Sequence, residues 1–258
     1  MDDRRTEAPT VLRMEGVSKV FAGGVTALRD MNLTIRQGDF VSLLGPSGCG
    51  KSTALRLIAG LMHPTAGRVH WEGAHQPGDL GVVFQEPTLM PWATVAKNVW
   101  LPMRLRGTKF SDVEGQINDA LKMVGLESFA NAYPRELSGG MKMRVSIARA
   151  LVTKPRLILM DEPFAALDEI TRNKMNDDLL ALQKNLNCTV IFVTHSVFES
   201  VYLSNRIVVM APRPGRVVED LDVRVDGPRD EDFRTSPGYA ALCRATSDAL
   251  SAAMGERA

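Results

Sequence analysis

Gly45-Pro46-Ser47-Gly48-Cys49-Gly50-Lys51-Ser52-Thr53 follows the apolar run Phe40-Val41-Ser42-Leu43-Leu44 and precedes Ala54-Leu55-Arg56-Leu57-Ile58-Ala59. The first flank reads as a buried strand and the second as a helix, so the nonapeptide is a glycine loop joining strand to helix. Its spacing, G-x-x-x-x-G-K-S, is that of a phosphate-binding loop, in which successive backbone N–H groups and the helix N-terminus point at one anion. Lys51 adds a point charge suited to β- and γ-phosphates, and Ser52 offers a hydroxyl to Mg²⁺. With glycine at about 7% of residues, such a template arises by accident roughly once in a hundred chains of this size, which rejects a chance turn with a lysine beside it.

A chain of 258 residues is long enough for one large domain with a subdomain, burying roughly 70 to 75% of its unfolded surface. Lys and Arg number 31 against 30 Asp and Glu, so no basic excess announces a nucleic-acid partner. Met1-Asp2-Asp3-Arg4-Arg5-Thr6-Glu7 lacks the apolar stretch of a leader. No apolar run approaches the roughly 18 residues of a membrane span. A soluble chain that stays where it is made is the expectation. Cys49, Cys188 and Cys243 are odd in number and have no metal spacing, which fits a reducing cytosol. Of these, Cys49 in the phosphate loop is the one expected to react with thiol reagents, or else it is simply a small filler.

Upstream of the loop, residues 10–43 alternate apolar and polar positions, with turns at Gly23-Gly24 and Gln37-Gly38-Asp39. This pattern predicts an antiparallel ribbon. Phe21, at the ribbon's end, is placed either to stack on a nucleotide base or to fill the core. A short strand is expected from Gly67 to Gly73, with His70 and His75 on the surface. Leu80-Gly81-Val82-Val83-Phe84-Gln85 is a strand delivering Gln85 at its carboxyl end, where ligands gather in an α/β sheet. Met90-Pro91-Trp92-Ala93-Thr94 reads as an exposed loop, and from about Val95 to Val152 the spacing is helical, with Gly125 a helix terminator.

Leu137-Ser138-Gly139-Gly140-Met141 opens another helix, capped by Ser138, with Val145, Ala148, Leu151 and Val152 on its apolar face. Two glycines at a helix start make a second bare anion site. Either this is a plain capped helix, or it completes the nucleotide site of another copy. Leu157-Ile158-Leu159-Met160 has the continuous apolar run of a strand covered on both faces, and it ends in Asp161-Glu162-Pro163. Adjacent carboxylates repel unless a cation or proton sits between them. Mg²⁺ meets that need: Asp161 would hold the metal through water, and Glu162 would polarise a water for in-line attack on a γ-phosphate. Asp168 is a good N-cap for a helix striped by Met175, Leu179, Leu182 and Leu186, and Thr189-Val190-Ile191-Phe192-Val193-Thr194 is a buried strand that delivers His195. Arg213-Pro214-Gly215-Arg216 reads as a surface hairpin turn, and Tyr239 to Met254 as a helix beyond the polar Arg229-Asp230-Glu231-Asp232.

Over about residues 10–220 the sequence resembles the ATPase subunits of ABC transporters. The resemblance rests on GPSGCGKST (Walker A), Gln85 (Q-loop), LSGGM at 137–141 (signature), LILMDEP at 157–163 (Walker B), AALD at 165–168 (D-loop) and His195 (H-loop). It implies an α/β P-loop NTPase of the ABC ATPase kind, with an antiparallel β subdomain and an inserted helical subdomain. In that scheme the chain is a single ABC ATPase domain: 10–93 and 153–220 form the nucleotide-binding core with its β ribbon, 94–152 the helical signature subdomain, and 221–258 a C-terminal extension. The implied cofactors are ATP and Mg²⁺, the metal being held by Ser52, Gln85 and Asp161. Residues 45–53 bind the phosphates, Phe21 stacks on adenine, and Glu162, His195 and Gln85 carry the chemistry. The implied assembly is a head-to-tail homodimer in which Ser138, Gly139, Gly140 and Asp168 of one subunit meet the nucleotide on the other's P-loop. ATP closes this clamp and hydrolysis opens it.

A narrower resemblance lies in VFQEPTLMPWATVAKNV (83–99), LDEITR (167–172) and FVTHSVFESVYLSNRIVVMAPRPGRVV (192–218). These look like the importer branch for nitrate, aliphatic sulfonates, taurine and related small solutes. The branch implies transmembrane permease subunits, an extracytoplasmic solute-binding protein and a peripheral position on the cytoplasmic face of the inner membrane. Pro91 and Trp92 would then either pack internally or receive a permease helix. Met141 and Met143 stand where glutamines are usual. The alternative, a soluble ABC ATPase acting on nucleic acid or ribosomes, favours tandem cassettes, a basic linker or a zinc insertion; this chain has one P-loop and no cysteine cluster.

Overall fold

Strand β1 (Thr10–Val20) pairs antiparallel with β2 (Thr26–Arg36) on one side and, further along the chain, with β4 (Ala66–Trp71) on the other. Its alternation works as the ribbon predicts, burying Leu12, Met14 and Val17 together with Leu28, Met31, Leu33 and Ile35 of β2. A computed structural model describes residues 8–73 and 78–255. The readings on residues 1–7 and on His75 therefore lie outside the described residues. Contacts divide the chain into two compact units, residues 1–75 with 189–258, and residues 76–188.

The first unit also holds β3 (Phe40–Leu44), which runs parallel to both β7 (Thr189–Thr194) and β8 (Arg206–Met210). Every residue of these three strands is buried. That is why they read as continuous apolar runs and not as alternating ones. Each fully buried Val, Leu, Ile or Phe there contributes about 1.5–3 kcal/mol, so these strands are the rigid base on which the loops stand. β9 (Val217–Asp222) closes the edge of β8 antiparallel.

Arg206 opens β8 from a buried position. Its Nε donates to Asp220 Oδ1 at 2.6 Å, its Nη1 to the Thr34 carbonyl at 2.5 Å, and Asp39 lies 3.6 Å away. Burial opposes its charge, but the Asp220 hydrogen bond and the neighbouring carboxylates outweigh that and raise its pKa.

Helix α1 (Lys51–Ile58) leaves the glycine loop, and α6 (Val197–Leu203) follows β7. The helix expected from Tyr239 to Met254 is present, and a second, shorter one precedes it. Asp230 caps a short helix, α7 (Glu231–Thr235), by accepting from the Phe233 N–H at 3.0 Å, and α8 (Pro237–Gly255) packs against α6, β8 and β9. Two tyrosines fasten it: the Tyr202 hydroxyl donates to the Arg229 carbonyl at 2.8 Å and the Tyr239 hydroxyl to the Phe198 carbonyl at 2.9 Å. The ring of Phe233 lies 5.2 Å from that of Tyr239.

In the second unit β5 (Leu80–Val83) and β6 (Leu157–Asp161) run parallel. The remainder is helical: α2 (Val95–Leu105), α3 (Phe110–Met123), α4 (Gly139–Leu151) and α5 (Glu169–Leu186). Gly125, at φ +67°, ends α3 as its position foretells. Val145, Ala148, Leu151 and Val152 are all buried, and α4 packs on α2, α3 and β5. The stripe on α5 is shorter than predicted. Met175, Leu179 and Leu182 are buried, but Leu186 is 36% exposed, because the helix ends at Asn187, whose left-handed backbone turns the chain away.

Candidate functional site

Within the first unit, β3 is buried along its whole length and releases the chain at Gly45. The loop closes at Gly50, whose φ of +104° suits glycine alone, and a Cβ there would stand 2.8 Å from the Ala27 carbonyl oxygen. Gly50 is also the N-cap of α1. It provides no side-chain cap, and the first turn holds no acidic residue. The helix therefore keeps its positive end for an external anion. Lys51 is only 4% exposed, with Nζ donating to the carbonyls of Gly45 at 2.7 Å and Pro46 at 3.0 Å. An ammonium is thus fixed inside a ring of main-chain groups, with Ser52 and Thr53 half-buried beside it.

Of the two readings of Cys49, its burial supports the small filler and corrects the reactive thiol. It is 1% exposed, its side chain turned into the protein next to Gly45, and Cys188 and Cys243 are buried as well. Burial moreover pushes the Cys188 thiol up to about 11 and raises that of Cys243. Thiolates are the reactive form, so the native protein is expected to resist a thiol-specific chromogenic reagent at pH 8 and to release all three cysteines only on denaturation. Rapid modification of Cys49 in the folded chain would contradict its placement.

Residues 213–216 do form the hairpin turn expected, joining the antiparallel β8 and β9 with the Ala211 N–H donating to the Arg216 carbonyl at 3.0 Å, but the turn is not wholly at the surface. Gly215 is buried: its N–H donates to the Ala27 carbonyl at 2.9 Å, and its own carbonyl accepts from the Arg29 N–H at 2.9 Å. Arg213 reaches the phosphate loop, Nε donating to the Gly48 carbonyl at 3.0 Å. Loop residues 46–49, Pro212, Arg213 and Met254 of α8 line a cleft of about 240 Å³.

His195 leaves the end of β7 exposed, in a turn with its own support. The buried Thr194 hydroxyl donates to Glu199 Oε2 at 2.5 Å and accepts from the Ser196 N–H at 2.9 Å, while Ser196 caps α6. Phe21 is 42% exposed in the β1–β2 turn, which its N–H closes onto the Val25 carbonyl at 2.9 Å, and the Lys19 ammonium lies 5.8 Å from its ring centre. The structure thus rejects the core reading of Phe21 and presents an open aromatic face.

In the second unit the register of β5 on β6 pairs Val83 with Met160. Gln85, two residues past the first, and Asp161-Glu162, just past the second, therefore emerge at one carboxyl edge. Gln85 is exposed, and Asp161 and Glu162 are half-buried. Glu162 has φ +46°, a left-handed conformation that a glutamate adopts at a cost of about 1–3 kcal/mol. The buried Pro163 and Phe164 hold the chain there, and the Ala165 N–H donates to the Glu162 carbonyl at 3.2 Å.

Ser138 caps α4 as the spacing indicates, accepting from the Met141 N–H at 3.3 Å and leaving Gly139 exposed at the helix start. A Cβ on Gly140 would approach Thr171 to 3.1 Å, so this end of α4 sits against the first turn of α5. There Asp168 accepts from the Thr171 N–H at 3.0 Å, which holds its carboxyl below the usual carboxylate range.

Arg149 is a residue that sequence reasoning missed. From α4 it donates to the carbonyls of Pro87 at 2.8 Å and Thr88 at 2.9 Å, fastening the segment after Gln85, where Thr88 has φ +47°. Thr194 and Glu199 escaped notice likewise. Nothing in their spacing marks an arginine for a carbonyl far along the chain, or a hydroxyl for a carboxylate.

A phosphate-binding loop at an uncapped helix N-terminus, on parallel strands and accompanied by an acidic strand end, defines a P-loop ATPase. Residues 28–165 match the family described as ABC transporter. The nitrate import ATP-binding protein of Synechocystis sp. is 43% identical over 222 residues, 84% of this chain and 84% of the relative. An aliphatic sulfonates import ATP-binding protein of Pseudomonas syringae pv. tomato is 47% identical over 216 residues, 82% of this chain and 87% of the relative. Among solved structures, the dimeric post-hydrolysis state of an ATP-binding cassette bound to ADP and phosphate superposes with a TM-score of 0.72 at 34% identity, covering 83% of this chain and 100% of that one. The chain belongs to the ABC transporter family. No helix among the described residues is long and apolar enough to cross a membrane.

Proposed function

We propose that this chain is the ATP-hydrolysing subunit of an importer for a small organic or inorganic anion-type solute of the nitrate, sulfonate or taurine-like class. The observation that carries the ATPase reading is the uncapped start of α1 with the Lys51 ammonium buried in its loop. The import reading is supported by relatives whose names are those of import ATP-binding proteins. Residues 45–53 take the triphosphate through main-chain N–H groups, Lys51 balances the β- and γ-phosphates, and Phe21 offers its open face to the adenine.

Among the described residues no group of three or more His, Cys, Asp or Glu side chains is gathered for a metal ion. The hydroxyl of the half-buried Ser52, the amide of Gln85 and the carboxylate of the half-buried Asp161 are hard oxygen donors of the kind Mg²⁺ takes, one or two at a time, together with phosphates and waters. Ser52, Gln85 and Asp161 are the residues that would hold it, and the ion would neutralise charge between the β- and γ-phosphates. Glu162 orients and deprotonates the attacking water, and His195 hydrogen-bonds the γ-phosphate. Ser138, Gly139, Gly140 and Asp168 serve the nucleotide of a second copy, so ATP closes a homodimer and phosphate release opens it. The dimer drives a membrane permease from the cytoplasmic face, supplied by an extracytoplasmic solute-binding protein.

The test is co-expression. The chain is expected to sediment with membranes only when its transmembrane subunits are present. Equal sedimentation without them, or none with them, would overturn the importer reading.

A further inference from the structure

The turn at residues 212–216 touches both things that the proposed nucleotide site needs held. One is the loop itself: Arg213 Nε donates to the Gly48 carbonyl, and Gly215 lies so close that a Cβ on it would stand 1.9 Å from the Cys49 carbonyl oxygen. The other is the start of β2, where Gly215 exchanges main-chain hydrogen bonds with Ala27 and Arg29. β2 leads directly out of the turn that carries Phe21.

Two consecutive carbonyls of the phosphate loop are therefore met by one outside segment, by a cation at the first and by close main-chain approach at the second. The consequence is chemical. A phosphate loop binds through N–H groups aimed inward, and the peptide dipole fixes N–H and C=O on opposite sides of each unit. Holding the Gly48 carbonyl on a guanidinium fixes the peptide whose N–H, that of Cys49, closes the loop's own turn onto the Pro46 carbonyl at 3.3 Å, and packing Gly215 against the Cys49 carbonyl keeps the next N–H, that of Gly50, turned the other way.

We infer that Arg213 and Gly215 are positioning residues for ATP: the 212–216 turn sets the orientation of the Gly48 and Cys49 peptides and links the phosphate loop to the Phe21 turn. This rests on the reading of residues 45–53 as the ATP site. Gly215 acts by having no side chain, since the atom in its way is main chain and cannot swing aside. Arg213 acts through a charge-assisted hydrogen bond.

The test compares wild type with Arg213→Ala, Arg213→Lys and Gly215→Ala on two readouts. The first, amide hydrogen exchange of residues 47–50 without nucleotide, does not depend on ATP binding. Exchange there is expected to rise in both alanine variants. The second is steady-state ATPase kinetics, in which Arg213→Ala should raise the KM for ATP about tenfold, the value of one charge-assisted hydrogen bond, with kcat changed less than about twofold. Arg213→Lys should recover part of the KM. A merely structural contact would lower the melting temperature and kcat together and leave KM in place.

Should Gly215→Ala fail to fold, the arginine pair decides. Unchanged exchange at residues 47–50 in Arg213→Ala, or an unchanged KM, overturns the inference. Raised exchange in a chain whose wild type binds no ATP would instead uphold the brace and remove the nucleotide reading.

Discussion

Glu162→Gln is expected to bind ATP as tightly as wild type and to turn it over at least about a hundred times more slowly, the usual contribution of a general base. The amide keeps the shape of the carboxylate and its left-handed backbone, held by the buried Pro163 and Phe164. What it loses is the lone pair that accepts the water's proton. Because binding survives while hydrolysis stops, the proposed ATP-bridged pair should accumulate in magnesium-ATP and elute as a dimer on size exclusion. Wild-type turnover in this variant would refute Glu162 as the base. A strict monomer with arrested turnover would spare the base but contradict the clamp.

Lys51→Ala acts a step earlier. The ammonium is 4% exposed and held by two carbonyls. Its removal would strip the charge proposed to face the phosphates and leave the Gly45 and Pro46 carbonyls without their donor. Truncating one member of a buried, hydrogen-bonded charge pair costs about 2–5 kcal/mol, or at least ~30-fold in affinity. Titration calorimetry should show no saturable ATP binding where wild type saturates, with the circular dichroism of the folded chain retained. An ATP affinity equal to wild type would contradict the P-loop assignment. The two variants separate the functions: the lysine variant fails to load, and the glutamate variant loads and stalls.

Residues 45–53, the strands on either side of them, the acidic end of β6 and the caps at Ser138 and Asp168 were legible from the sequence. Each is a local pattern: a glycine spacing, an apolar run, a hydroxyl or carboxylate before a helix. Local hydrogen bonds and burial on both faces of a strand leave a contiguous imprint of residue types. Where a long-range contact decides, the imprint vanishes. Arg149 reaching Pro87 and Thr88, and Arg213 with Gly215 against the phosphate loop, involve side chains or main-chain groups whose partners their neighbours do not announce. The same holds for exposure. Cys49 sits in a loop that composition alone marks as open, yet the approach of other segments buries it, while Phe21, equally able to serve the core, stays outside.

By itself the sequence determined the chemistry and the class of fold, because phosphate recognition, helix capping and strand burial are written in neighbouring residues. Only the tertiary structure decided which groups are held, hidden or presented: the burial of Cys49, the exposure of Phe21 and the close approach of Gly215 to the phosphate loop. Those depend on the approach of segments distant along the chain, and a distance in space has no fixed spacing in sequence.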